Sequence, residues 1–293
     1  MIASGGSGRL LPALLHSLSP RPFILNHRRA RPGSLPLRLH RLAGLALVLA
    51  GAAGLPAVMI DEIQVYADDI NAPGKFGLEL HANTTLQGRR TPDYPGEVTP
   101  EHGLRLTPEF SYGLTRAFEA GLYLPLEHTG NGANNLAGLK VRLKWLPVQP
   151  DEKAGGWFAG MNGELSWLQR RFEEHHWSME LRTMLGYRAA GWLLAANPVF
   201  GWTLAGPGRA ARPECELQLK AACQITRGIS FGPEYFADFG PLGQALPRAQ
   251  QDDVLYAAFD VNLHPWVFNF GIGRGVTNAA DRWTVKFIFE VPW

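Results

Sequence analysis

From Lys75 to the end of the chain, apolar and polar residues alternate with a period of two. Successive side chains of a strand point to opposite faces, so this period predicts extended chain with one apolar and one polar face, not helix. The closing stretch shows it most fully. Trp283, Val285, Phe287, Phe289, Val291 and Trp293 share one face, and Thr284, Lys286, Ile288, Glu290 and Pro292 share the other. The same pattern sets Leu139, Val141, Leu143 and Trp145 against Lys140, Arg142 and Lys144, and Leu104, Leu106, Phe110 and Tyr112 against Arg105, Thr107, Glu109 and Ser111. It also sets Leu255, Ala257, Phe259, Val261 and Leu263 against Tyr256, Asp260 and Asn262.

Read along the chain, the alternation predicts about twelve strands, near 75–87, 103–113, 116–127, 136–147, 156–169, 176–188, 191–204, 213–223, 226–236, 253–263, 266–274 and 281–293. Several reach the roughly 9–11 residues that a tilted strand needs to cross a bilayer. The connections alternate between long and short, as in outer-membrane barrels with short periplasmic turns and longer outside loops. The nine-residue PVQPDEKAG segment, where a short turn is expected, fits least well. Most of the tryptophans fall near strand ends, where aromatic girdles meet the two membrane interfaces. The predicted fold is therefore all-β, a closed antiparallel transmembrane β-barrel spanning 75–293. A soluble sandwich would show the alternation without the girdles.

Composition agrees: 33 Gly, 22 Pro and 9 Trp suit strands and turns. Charge divides the chain. Residues 1–60 hold seven Arg and no Asp or Glu, which leaves 21 Lys+Arg against 26 Asp+Glu beyond them, a net of −5. The basic character is thus confined to the leader, and a nucleic-acid partner is not expected. After Arg41 comes the apolar LAGLALVLAGAAGLPA with small residues at its end. This is the order of a secretory signal peptide, predicted to be cleaved between Ala52 and Ala57 after Sec-type export. Residues 58–74 are expected to form a short periplasmic segment. Cys215 and Cys223 fall in one strand, about 26 Å apart at ~3.3 Å per residue, too far to bond to each other.

The segments DEIQVYADDINAPGKFGLELH, AFEAGLYLPL and DFGPL with the LP that follows, together with the closing strand, resemble a family of uncharacterised bacterial outer-membrane β-barrels. Some of these are described as transporters, similar in outline to barrels that accompany phenol-degradation pathways. The resemblance covers nearly the whole mature chain and implies a Gram-negative outer-membrane location. It also implies that Phe289, Val291 and Trp293 carry the signal read by the barrel-assembly machinery. Pro292 before a final Trp, where Phe is usual, departs from that signal.

The expected chemistry lies on the inward faces. Glu79, His81, Arg105, Glu109, Glu119, Lys140, Arg142, Lys144, Glu164, Glu180, Arg182, Glu216, Lys220, Glu234, Asp260 and Lys286 are candidate lumen groups. They can line a polar channel that selects solutes, or pair across a narrow bore as a salt-bridged plug. Strand number alone does not fix the width of that bore. Asp238, Phe239 and Gly240 open a long loop, read as a possible gate or an ordinary outside loop.

Enzyme motifs are weak. Gly228-Ile229-Ser230-Phe231-Gly232 matches a nucleophile elbow but is followed by no helical pattern. The stretch Gly271, Gly273 and Gly275 lies between a strand and a turn and is not a phosphate loop, and Asp238-Phe239-Gly240 lacks the surroundings of the kinase motif. His175-His176 beside Glu173 and Glu174 reads as an exposed polar loop rather than a metal centre, because neighbours on a strand point opposite ways. A spatial triad of a serine with His81, His128, His175 or His176 stays open. The expectation is a passive channel or transporter for small solutes, in contact with outer-membrane lipid, with no cofactor and no metal. The alternatives are a lipid-hydrolysing or lipid-modifying barrel and a non-conducting structural barrel.

Overall fold

The computed structural model describes residues 62–292 except 152, 207, 208, 210 and 211. The expected leader with its predicted cleavage site, and Trp293, therefore lie outside the described residues. The remainder folds into one antiparallel sheet closed into a 12-strand barrel. Fourteen segments build it: β1 (Phe76–Gln87), β2 (Leu104–Gly113), β3 (Phe118–Tyr123), β4 (Leu126–His128), β5 (Asn134–Leu136), β6 (Gly138–Val148) and β7 (Gly156–Leu168). Then come β8 (Trp177–Ala189), β9 (Trp192–Ala205), β10 (Glu214–Thr226), β11 (Ile229–Pro241), β12 (Asp252–Leu263), β13 (Trp266–Gly275) and β14 (Trp283–Glu290). β3 with β4, and β5 with β6, are single barrel strands interrupted once. Pro125, which has no N–H to give the ladder, sits in the first break, and its carbonyl accepts from Ala137 N at 2.7 Å in the second. Pairing of β1 with both β2 and β14 closes the barrel.

The two faces sort as the alternation requires. On β2, Leu104, Leu106 and Phe110 are exposed while Arg105, Thr107, Glu109 and Ser111 are buried. In a closed barrel the exposed apolar face is the lipid face and the buried polar face lines the bore. Trp145, Trp157, Trp192 and Trp266 ring the end with short connections, and Trp167, Trp177, Trp202 and Trp283 ring the other. Trp157 and Trp167 stand ten residues apart on β7, which at ~3.3 Å rise and ~40° tilt separates the girdles by about 25 Å, the height of an outer-membrane apolar band.

The closing strand is shorter than the expected 281–293, and the boundaries of β10 and β11 differ most from expectation. β10 runs on to Thr226, and its turn is made at Gly228, whose φ of 79° favours glycine, not near Gln224. β11 continues through Asp238, Phe239 and Gly240 to Pro241, because Cys215 and Glu214 on β10 pair with Gly240 and Pro241 beyond a bulge. The proposed gate residues are thus the end of a strand, and the loop proper is 242–251.

The loop 88–103 is held by ion pairs. Arg89 donates to both carboxylate oxygens of Glu97, at 2.8 and 2.7 Å, and Val98 N donates to Arg171 O at 2.8 Å, joining this loop to the one after β7. Burial works against the Glu97 charge, but the Arg89 bonds and backbone N–H groups outweigh it and hold the carboxyl below its ordinary 4.5. A depressed carboxylate stabilises the loop above its unfolded pKa and ceases to do so as pH falls through the folded value. Protection of 88–103 from hydrogen exchange should therefore persist down to about pH 4.5 and be lost below it. Loss already near pH ~6 would contradict this assignment.

Candidate functional site

The bore is the site, and the chain ahead of β1 fills it. Residues 62–72, expected as a periplasmic extension, run inside the barrel and belong to no strand. Their side chains and carbonyls meet nearly every part of the wall. Tyr66 N donates to Asn197 Oδ1 at 2.7 Å, and Asn197 Nδ2 donates back to Tyr66 O at 3.0 Å, the exchange of bonds that a strand partner would make. The Tyr66 and Tyr123 hydroxyls share a hydrogen bond of 2.7 Å. Arg182 and Lys144 lie over the Tyr66 ring at 4.5 and 4.8 Å.

Above and below Tyr66 the contacts are polar as well. Lys286 Nζ donates to Ile63 O at 3.1 Å and Arg182 Nη1 to Gln64 O at 3.3 Å. Arg188 grips the Asp68 carboxylate with Nε at 2.8 Å and with Nη2. Nearer the short-turn end, Asn71 N and Nδ2 both donate to Glu119 Oε2 at 2.7 Å, and Nδ2 also reaches Ser111 Oγ at 2.8 Å. Gly113 admits this approach, since a Cβ there would collide with the Ala72 carbonyl. Apolar packing completes the seal, with Val65 and Ala67 on Phe158 and Ala195, and Ile63 on Val254 and Tyr256.

All of the predicted lumen charges sit on inward faces, and most are joined in pairs. Arg142 holds Glu109 through Nε at 2.7 Å and Glu119 through Nη2 at 2.8 Å, with Lys144 at 3.5 Å from Glu119. Lys286 bonds Glu234, which Lys220 meets at 3.1 Å while also holding Asp260 at 2.7 Å. Lys140 pairs with Glu164 at 2.9 Å, Arg182 with Glu180 at 2.9 Å and Arg105 with Glu127 at 3.0 Å. His81, Asn197 and Thr107 are 0% exposed and Glu234 and Lys286 1%, values that exclude an open water-filled bore at their level.

One group of acids is different. Glu216 is opposite Asp238, and Asp238 is opposite Asp252, so three carboxylates stand side by side on β10, β11 and β12 towards the long-loop end. No base lies between them in the ladder. Asp238, Phe239 and Gly240 thus contribute one wall acid, which accepts from Gly240 N at 2.8 Å. Glu79 and Asp260 keep side-chain exposures of 32% and 33%, so the bore is accessible beside them.

Other motifs find structural places. Ser230 is the second residue of β11 and is followed by strand, not helix. Glu173 and His175 are buried at 5% rather than exposed. Phe289 lies on the lipid face, stacked on Trp266 at 5.8 Å, and Val291 N donates to Leu78 O at 2.8 Å, extending the closing strand towards its end. No described helix is long and apolar enough to cross a membrane.

No family model and no curated protein matches the chain. Among solved structures, an outer-membrane channel from Pseudomonas putida F1 superposes with a TM-score of 0.53 at 11% identity, covering 78% of this chain and 100% of that one. The NanC porin gives a TM-score of 0.46 at 11% identity, covering 74% of this chain and 98% of its own. The Pseudomonas likeness agrees with the strand count and girdles: the chain has the fold of a bacterial outer-membrane β-barrel.

Proposed function

We propose that this protein is an outer-membrane channel for small solutes, seen with its bore shut by residues 62–72. One observation carries the reading: the seal takes no part in the barrel's hydrogen-bond ladder. It can leave without unpairing any strand, whereas wall charges that pair among themselves keep the barrel intact behind it. The reading includes Sec-type export, insertion by the assembly machinery through the closing strand, and residence in outer-membrane lipid.

The acid row of Glu216, Asp238 and Asp252 supports a preference for cations over anions at the long-loop mouth. Planar-bilayer recording of purified protein tests both parts. Expected are discrete current steps whose reversal potential under a salt gradient lies on the cation side. Converting the three acids to Gln or Asn should move that potential towards zero. Silence at every voltage, for the native chain and for one lacking residues 62–70, overturns the channel reading and leaves the non-conducting barrel, which the filled bore otherwise favours.

A further inference from the structure

We propose that Glu79, His81 and Glu109 form a divalent-metal site of the zinc class on the wall of the bore. The strand period brings the first two together: Glu79 and His81 are two apart on β1 and so share its inward face. Pairing brings the third, because Glu109 on β2 is directly opposite Glu79. His81 Nε2 lies 3.1 Å from Glu109 Oε2 and 3.9 Å from Glu79 Oε2. One donor atom from each residue falls within 4.8 Å of the others. Donors bound at ~2.0–2.2 Å around a tetrahedral ion stand roughly 3.3–3.6 Å apart, so small side-chain movements close the set.

Three further features fit an ion at this point. Glu79 faces Glu109 on one side and Glu290 on the other, and like charges directly opposite across strands are destabilising unless a cation lies between them. Arg142 takes Glu109 Oε1 and leaves Oε2 to His81, the outer hydrogen bond that orients a metal-binding carboxylate. His81 is 0% exposed and its Nε2 is aimed at the two carboxylates. Glu79, one-third exposed, leaves the bore side open for an ion to enter and for water to complete the shell. One imidazole with two carboxylates is a donor set that Zn²⁺ accepts.

The site is read by metal binding and not by current, so it stands or falls apart from conduction. Protein without a histidine tag, folded in detergent, is dialysed against Zn²⁺, with Co²⁺ as the spectroscopic probe. One Zn²⁺ per barrel is expected, together with visible Co²⁺ ligand-field bands. Glu79→Gln and His81→Gln should each weaken Zn²⁺ binding by about tenfold or more and abolish the bands. The heat-dependent gel shift of a folded barrel controls for folding, and the one-third-exposed Glu79 supplies the answer if His81→Gln fails to fold. Absence of binding overturns the proposal. So does binding that both variants retain, which would assign the metal to surface histidines.

Discussion

A chain lacking residues 62–70 is expected to form the same barrel and to conduct steadily, with time-averaged current raised about tenfold or more over the native protein. The magnitude follows from what holds the seal. Arg188 to Asp68 is a two-pronged, charge-assisted contact, and Tyr66 exchanges two hydrogen bonds with Asn197. Each bond to a charged group contributes about 1.5–3 kcal/mol, and about 1.4 kcal/mol shifts a closed–open balance tenfold. Asn71 and Ala72 are kept in this variant because they dock against Glu119 and Gly113 at the mouth and lead into β1. Bilayer current gives the readout, and the gel shift shows that the barrel has closed. An unchanged current from a folded barrel means that the wall charges themselves shut the bore, which is the plug reading.

The barrel was legible in the sequence because its two faces differ so sharply in chemistry. Leu139, Val141 and Leu143 meet lipid, while Lys140, Arg142 and Lys144 between them meet the bore, and the girdles separate this from the alternation of a soluble sheet. The tryptophans marked the strand ends for the same reason. What was not legible was pairing across the bore. Lys286 reaches Glu234 from β14 to β11, three strands away, and only the curvature of the closed sheet brings them together.

The seal was hidden more thoroughly. Glu62, Asp68 and Asp69 make the stretch look like solvated linker, and the wall partners of Glu62 and Asp68, Arg182 and Arg188, lie more than a hundred residues further along. Arg188 could have been found by extending the inward face of Glu180 and Arg182 by its period. The strand end at Asp238, Phe239 and Gly240 was misread because its Gly and Pro carry the composition of a loop, whereas a bulge at Phe239 lets it stay paired with β10. Glu79 and His81 were visibly on one face, but Glu109 joins them only through the β1–β2 register.

The costliest single substitution is expected to be Glu234→Gln. Glu234 accepts from Lys286 and Lys220, and Glu234 and Lys286 are each 1% exposed. Removing the carboxylate charge leaves Lys286 with only neutral acceptors, the amide oxygen of the new side chain and the Ile63 carbonyl, while Lys220 keeps the Asp260 carboxylate. An uncompensated buried charge costs about 3–5 kcal/mol, whereas replacing both partners of such a pair is often nearly neutral. Urea unfolding of the barrel in phospholipid vesicles should therefore show Glu234→Gln strongly destabilised and Glu234→Gln/Lys286→Met largely restored, a coupling that a double-mutant cycle isolates. A single-variant cost below about 1 kcal/mol would mean that water reaches the pair, and the bore would then be wet at the level of Ile63. Because Lys286 also holds the Ile63 carbonyl, the single variant should loosen the seal as well, joining the stability of the wall to the closure of the bore.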